Sequence, residues 1–460
     1  MIEQQVIVRA ALAAWALLVL LTWGHQLDDA FIHLRYAANL VETGAFGFNA
    51  GSPDAGASSP LFVGLLAPIV GLLGPEASKG LSVVATLGAL LLVLHAARRD
   101  DGGIAGALVL GLAAPSAVRW LANGMETSLA LVLALVLGAA LLRTSAWVVP
   151  VLAVAVLVRI EFVAVGAVLV LALLLERRIT MAIALGGAVA TGLLAWTALF
   201  GSPLPDTAVA KAGQGTALVT ALVIAKAHAA APLLSAGLGV AWVLSLLRLR
   251  EAVRTARIPD RRRRWLLVLA VQAIVPAVML AAIARGQVIQ GARYFLWLEA
   301  FTIAANVALA RAWGPPAGRA LRLPRVAAVG LVVLFAAEAA LLAPVFAGRA
   351  QTQEALAGER WPDGATCAAA DIGAFAWASG CVLTDLNGLV NGRDAALLSG
   401  EERMAQLEVV DLLFLSAPQF DALNAATEGR FARWQPTGAY PFPNVSGRRD
   451  VHHVYRPRAW

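Results

Sequence analysis

Asp28 and Asp29 stand side by side after the first apolar run, in the stretch DDAFIHLRYAANL. Paired carboxylates suit general-base chemistry: one takes the proton of an attacking hydroxyl while its neighbour steadies that hydroxyl or a cation. Read as a helix from Asp28, the stretch is amphipathic. Phe31, Leu34, Ala38 and Val41 share one face, and Asp29, His33 and Tyr36 lie near one another on another. Asp28 also suits a helix N-cap, but capping needs one carboxylate and not two. Other polar residues punctuate the apolar chain. Glu126 lies in Gly124-Met125-Glu126-Thr127 at the start of an apolar run, and Arg159 and Glu161 sit between two more. Lys211 follows the rigid turn GSPLPDT, and Arg293-Tyr294 opens a further run. An arginine fork grips phosphate bidentately, and a lysine reaches it as a point charge. Each residue also has a plainer reading. Glu126 can serve a helix dipole, Arg159 and Glu161 can neutralise each other, and Lys211 can snorkel. Arg293-Tyr294 can anchor at the interface, and His25 and His33 can be satisfied loop histidines. No P-loop, GxSxG, HExxH or Rossmann glycine pattern occurs, so nucleotide-driven chemistry and a soluble nucleotide-sugar fold lack a motif.

The elements that must carry these residues are membrane helices. Of 460 residues, 60% are hydrophobic and 14% charged, whereas a soluble domain is about half apolar and a quarter charged. The first run, 6–23, lacks a small-residue cleavage site and reads as a retained helix rather than a signal peptide. Spans are expected near 7–24, 61–97, 103–121, 126–142, 146–160, 162–175, 180–199, 229–247, 265–284, 293–310 and 326–346. The run 61–97 is interrupted at Gly74-Pro75, which predicts a re-entrant piece at 61–73 before a full span. Basic loops at Arg98-Arg99, Arg143, Arg177-Arg178, 248–264 and 311–325 mark the cytoplasmic side. The net charge of +7 is largely these arginines, so no nucleic-acid partner is expected. With the N-terminus inside, every loop that holds the chemical residues falls outside. Charge at membrane depth is costly and by default functional.

Residues 347–460 change character: Asp, Glu, Asn, Pro and Gly return. The segment 366–372 reads as a strand and turn, and 408–415 as a buried strand with Val409, Val410, Leu412 and Leu413. The expected fold is thus a polytopic α-helical membrane protein of about 11 transmembrane helices with a small C-terminal α/β domain on the outer side. The transmembrane domain is 1–346, with a first outer loop at 25–60, and the α/β domain is 347–460. Cys367 and Cys381 form a disulfide if that domain faces an oxidising compartment, or remain two buried thiols.

DDAFIHLRYAANL, then GFN and a Ser-Pro-Leu, resembles the first outer loop of GT-C-fold glycosyltransferases. The branch it resembles includes the mycobacterial terminal β-(1→2)-arabinofuranosyltransferases. GMETSL, the RIE that begins at Arg159, GSPLPDT with Lys211 and RYF at Arg293 follow as landmarks in the same order. DIGAFAW and DLNGLVN resemble the C-terminal outer domain of that family. The resemblance implies inverting transfer of a sugar from a polyprenyl-phosphate donor to a glycan, glycolipid or protein acceptor at the outer face of the bacterial inner membrane. It implies Asp28, which matches the leading aspartate, with Asp29 beside it, as the catalytic pair. Glu126, Arg159, Glu161, Lys211, Arg293, Tyr294, His33 and Tyr36 are implied to bind donor and substrate. A departing lipid phosphate needs cationic stabilisation, for which Arg159, Lys211 and Arg293 are candidates. Some relatives place a divalent metal (Mg, Mn or Ca) near the acidic loop and others do without; no compact metal-ligand motif occurs in this chain. Two departures bear on sugar and acceptor. The family often has Arg-Pro-Glu-Gly where this chain has Arg159-Ile160-Glu161-Phe162, and Pro-Asn-Thr where it has Pro205-Asp206-Thr207. The competing readings are a polyprenyl-phosphate-mannose-dependent mannosyltransferase, a lipid-carrier transporter, and a scaffold with a sensing outer domain. A transporter calls for repeats and charges near the midplane, and no repeat is evident.

Overall fold

The structure, a computed structural model, describes residues 2–97, 102–142, 145–212, 215–255, 261–286, 292–314, 325–408, 410–443 and 449–458. Arg98, Arg99, Arg143, the segments 256–260 and 315–324 of the longer basic stretches, the segment 287–291 and Val409 lie outside the described residues.

α1 (Ile2–Leu21) leads into α2 (Asp28–Thr43), then α3 (Pro60–Leu73), α4 (Glu76–Ala97), α5 (Gly102–Leu112) and α6 (Pro115–Leu121). α7 (Thr127–Ala139), α8 (Val148–Val158), α9 (Phe162–Leu175) and α10 (Ile179–Phe200) follow. The bundle continues with α11 (Asp206–Ala210), α12 (Ala217–Ala229), α13 (Pro232–Thr255), α14 (Arg261–Ala284), α15 (Leu296–Trp313) and α16 (Arg325–Gly358). By length and composition five helices can cross a membrane: Glu76–Ala96, Ile179–Phe200, Pro232–Thr255, Arg263–Ala284 and Val332–Gly358. The bent pair α5 and α6 makes a sixth if it counts as one span. Three of the other spans expected from sequence are shorter here. Those at 126–142, 146–160 and 162–175 are helices of 13, 11 and 14 residues, below the roughly 20 residues of a full crossing. The break at Gly74-Pro75 does separate α3 from α4, and α12 lies in a stretch where no span is expected.

The span expected at 103–121 is broken, its two halves meeting at 73°. Pro115 has no N–H and its ring excludes the helical conformation at the residue before it. Ala114 is accordingly extended, at φ −60° and ψ 150°. α6 and α13 both begin with proline, and the next free amides of both, Ser116 N and Leu233 N, donate to the two oxygens of Glu338 on α16 at 3.0 and 2.6 Å. One buried carboxylate thus satisfies two helix N-termini and fixes three helices together.

α16 continues past the expected domain boundary at 346/347 to Gly358. Beyond it, β1 (Thr366–Ala369), α17 (Gly373–Ser379), β2 (Val382–Asp385), α18 (Arg393–Leu397), α19 (Gly400–Ala405), β3 (Leu412–Ser416), α20 (Ala417–Ala426), β4 (Trp434–Pro443) and β5 (Arg449–Pro457) form the sheet domain. The strand order is β2-β1-β3-β5-β4, with β1 parallel to β2 and β3, and β5 antiparallel to β3 and β4. A disulfide joins Cys367 to Cys381, whose Cα atoms are 6.1 Å apart, within the usual span of such bridges. Cys367, Leu412, Phe414 and Phe375 share one apolar core with Phe31, Leu34 and Tyr36 of α2 and Phe62 of α3. The sheet domain therefore has no separate inner face: the first loop helix completes it.

Candidate functional site

α2 lies between the bundle and the sheet domain, and its two leading aspartates part company. Leu27 is the residue before the helix and Asp28 its first residue, with no side-chain cap of its own helix. The Asp28 carboxylate instead accepts the amides of Gly373 and Ala374 at 2.9 and 2.8 Å. It therefore caps α17 of the sheet domain. A Cβ on Gly373 would collide with the backbone oxygen of Asp28, so only glycine lets α17 approach this far. Burial, then the neighbouring Asp371, raise the Asp28 pKa to about 6 against the pull of the two amides. Asp28 and Asp29, expected as a pair, are thus engaged on different sides of α2. Adjacent helical residues point about 100° apart, and only Asp29 lines the cavity described next.

That cavity has a volume of about 660 Å³. Asp29 and His33 enter it from α2, Glu126 from the start of α7, and Arg159 and Glu161 from the join of α8 and α9. Lys211 follows α11, Arg285 follows α14, and Arg293 and Tyr294 precede α15. Eight of the ten site residues expected from sequence are thus brought together. Tyr36 is not among them: its hydroxyl donates to Asp54, which also accepts the amides of Phe48 and Gly56 at 2.8 and 2.9 Å. Tyr36 shapes the loop at 46–56 rather than the cavity. Gly124, at φ +90°, seats the Glu126 loop; a Cβ there would meet that of Ala30 on α2 at 2.7 Å.

The charged groups of the cavity are interlocked. Arg159 is extended where α8 ends, and Glu161 is the residue before α9. Arg159 donates to Glu126 at 2.8 Å and, through two nitrogens, to Glu161 at 2.8 and 3.4 Å. Its fork is thus occupied by the two carboxylates, which it orients. Burial by itself lowers its pKa, and the two carboxylates outweigh that. Arg293 pairs with Asp29. Burial pushes Asp29 up, but Arg293 and then Lys211 outweigh it and hold its pKa at about 2. Lys211 donates to the Tyr294 hydroxyl at 3.3 Å, and the guanidiniums of Arg159 and Arg293 lie 5.1 and 5.2 Å from the Tyr294 ring. The ring keeps three cations apart and in place. Burial raises the Tyr294 pKa, but Lys211 and Arg293 carry it below its ordinary value.

Below this polar end the wall is apolar. Val163, Ala164 and Ala167 of α9, Leu193 of α10, and Val278, Ala281 and Ala282 of α14 form it. The sheet domain contributes Leu389, from a loop built on Asp385, which accepts the amides of Asn387 and Leu389 at 2.8 and 2.6 Å. Sequence reasoning missed Asp54 and the sheet-domain wall. Arg285 opens an outer polar loop, 285–293, in the sequence but is not among the expected site residues. Asp54 had a usable signal, since an aspartate in Ser52-Pro53-Asp54 before Gly56 suits a side-chain-closed turn. Among the described residues no group of three His, Cys, Asp or Glu converges, and Asp29, Glu126 and Glu161 are each turned on a guanidinium.

The fold is similar to that of ArnT from Cupriavidus metallidurans, in a crystal structure bound to undecaprenyl phosphate (14% identity, TM-score 0.52) and in the apo state (15% identity, TM-score 0.53). Each match covers 98% of this chain and 97% of the other. No protein-family model matches the chain, and no curated protein matches it by sequence.

Proposed function

We propose that this chain is an integral-membrane inverting glycosyltransferase of the GT-C type. It transfers a sugar, arabinofuranose by the motif resemblance, from a polyprenyl-phosphate donor to a glycan acceptor of the bacterial cell envelope. One observation carries the reading: a single cavity has Lys211, Arg285 and Arg293 at its polar end and an apolar strip of α9, α10 and α14 leading from it. A polyprenyl phosphate joins those two chemistries in one molecule. The similarly folded ArnT structure with undecaprenyl phosphate bound supports a lipid-linked donor. The gathering of Asp29, Glu126, Arg159 and Arg293 in one cavity favours an enzyme over a carrier.

In this reading Asp29 is the general base. Paired with Arg293 it is too acidic to hold a proton, but an incoming donor phosphate competes for Arg293. As Arg293 turns to the phosphate, Asp29 gains basicity beside the acceptor. The acceptor hydroxyl attacks the anomeric carbon, its proton passes to an Asp29 oxygen, and the bond from that carbon to the phosphate oxygen breaks. Charge develops on the departing phosphate, where Lys211, Arg285 and Arg293 of the cavity lining can meet it. Arg159, filled by Glu126 and Glu161, stays out of the exchange. The arginine-rich loops argue for a cytoplasmic N-terminus and for a cavity and sheet domain on the extracytoplasmic face. The bundle then carries the chemistry, and the sheet domain closes over it.

The test is transfer by the purified protein from radiolabelled polyprenyl-phosphate arabinofuranose and mannose to envelope glycan, with Asp29→Asn and Asp28→Asn alongside. Transfer that is abolished in Asp29→Asn while donor binding persists supports the reading. Full transfer by Asp29→Asn sinks it.

A further inference from the structure

Two buried groups in the cavity wall each keep one side-chain atom without a hydrogen bond. His33 is 3% and Glu126 1% exposed. Neither His33 Nε2 nor Glu126 Oε2 has a hydrogen-bond partner, and the two atoms face each other at 3.8 Å. Their other atoms are engaged. His33 Nδ1 lies 3.2 Å from the Asp29 carbonyl oxygen, and Glu126 Oε1 accepts from Arg159 at 2.8 Å. A carbonyl only accepts, so Nδ1 carries the proton of the neutral ring and Nε2 presents a lone pair. Burial favours that neutral ring over the charged one. Phe62, edge-on at 5.4 Å, fixes the ring plane. Two acceptors therefore confront each other across a gap with no donor between them, an arrangement that native interiors rarely leave unfilled.

A ligand with donors to spare would satisfy both atoms. Three carboxylates (Asp29, Glu126, Glu161) line the cavity against four cations (Arg159, Lys211, Arg285, Arg293). The carboxylates are already matched, so neutral hydroxyls fit better than a further ammonium. His33 sits one helical turn from Asp29 on α2, so a ring held here lies next to the proposed base. We propose that His33 and Glu126 form the subsite that reads the transferred sugar, accepting two neighbouring hydroxyls of its ring, one at His33 Nε2 and one at Glu126 Oε2. This rests on the reading of the cavity as a polyprenyl-phosphate-sugar site.

The experiment measures binding to the full-length purified protein of undecaprenyl phosphate, the same lipid bearing arabinofuranose, and its singly deoxygenated analogues. The sugar is expected to add roughly 10- to 100-fold in affinity, and removing one ring hydroxyl is expected to erase most of that gain. His33→Phe and Glu126→Gln are each expected to lose the sugar's increment while keeping most of the affinity for the bare lipid phosphate. The penalty for deoxygenation is expected to vanish in the variant that lacks the matching acceptor. Retained binding of bare lipid shows that a variant is folded, and His33→Phe leaves the Arg159 network untouched. Equal wild-type affinity for bare and sugar-bearing lipid overturns the subsite. So does a deoxygenation penalty unchanged in both variants, or tighter binding of an amino sugar than of its hydroxyl counterpart. Binding of none of these lipids removes the reading of the cavity itself, and the subsite with it.

Discussion

Two cavities of the bundle are of equal size, each about 660 Å³, and lie at opposite ends of α7 and α15. One is ringed by Asp29, His33, Glu126, Arg159, Glu161, Lys211, Arg285 and Arg293. The other is walled by Leu108, Leu135, Ala139, Ile303, Val307 and their neighbours, with only His95 and Arg311 as ionisable groups among the described residues. Volume alone therefore says nothing about chemistry. Packed membrane helices leave crevices wherever side chains fail to interdigitate, and lipid chains can fill them. Buried charge does not arise that way, because each unpaired ion in a low-dielectric wall costs several kcal/mol. The polar cavity offsets that cost with a lattice in which Arg159 serves two carboxylates and Arg293 serves a third. The apolar cavity needs no such arrangement.

The contrast can be broken at either end. The largest expected effect is at Asp29: Asp29→Asn should lower transfer by about a thousandfold, measured as label moved from polyprenyl-phosphate sugar to glycan. A loss of less than tenfold would make Asp29 a partner for Arg293 and nothing more. Next come the cations that meet the phosphate. Lys211→Met and Arg285→Gln should each cost about 10- to 100-fold in transfer; an effect from Arg285 with none from Lys211 would move the phosphate toward α14. Removing the disulfide with Cys367→Ala and Cys381→Ala should reduce stability by about 3 kcal/mol, seen as a lower melting temperature in detergent.

A smaller effect follows from pH. Burial, ahead of other causes, raises Asp28 to about 6 and Asp54 to about 7, from an ordinary value of 3.8. An acid with a raised folded pKa binds its proton more tightly when folded, so its contribution is full below about pH 4 and is lost as pH rises through 6 to 7. Asp29, held at about 2, acts in the opposite sense and only at lower pH. His25 and His33, whose buried rings are held below their ordinary value, act in the opposite sense as pH rises to about 6.5. Between about pH 4 and pH 7 the melting temperature of Asp54→Asn should therefore fall less, or rise more, than that of wild type. Identical slopes in the two proteins would show that the packing of α2 on the sheet domain does not depend on the Asp54 proton. The smallest effect is expected in the apolar cavity, where Ala308→Leu should leave transfer within about twofold. A strong loss there would give the second cavity a role and end the contrast.

The charged residues of the site were legible because charge is rare in an apolar chain. Glu126, Arg159, Glu161, Lys211 and Arg293 stand out between runs of Val, Leu and Ala, and the structure brings them to one cavity. What each one does was not legible. Arg159 suits phosphate by type, but it is filled by two carboxylates, one of them 33 positions away. Tyr36 shares the helical periodicity of His33, yet it turns to Asp54. The break at Ala114-Pro115 had a signal in the proline. That the gap is closed by Glu338, 222 positions from Ser116, had none.

The sequence by itself determined that the chain is an assembly of apolar helices, followed by a more polar region, with its ionisable residues concentrated in particular loops. Local composition suffices for that, because a helix in lipid satisfies its own backbone and its side chains must match the surroundings. Only the tertiary structure decided which of two adjacent aspartates faces the cavity. That choice depends on the rotation of α2 about its axis, and two distant segments fix the rotation: the amides of Gly373 and Ala374 take Asp28 on one side, and Arg293 takes Asp29 on the other. Neighbours in sequence that diverge by about 100° around a helix are assigned by what packs against each face, and no window of local sequence contains those partners.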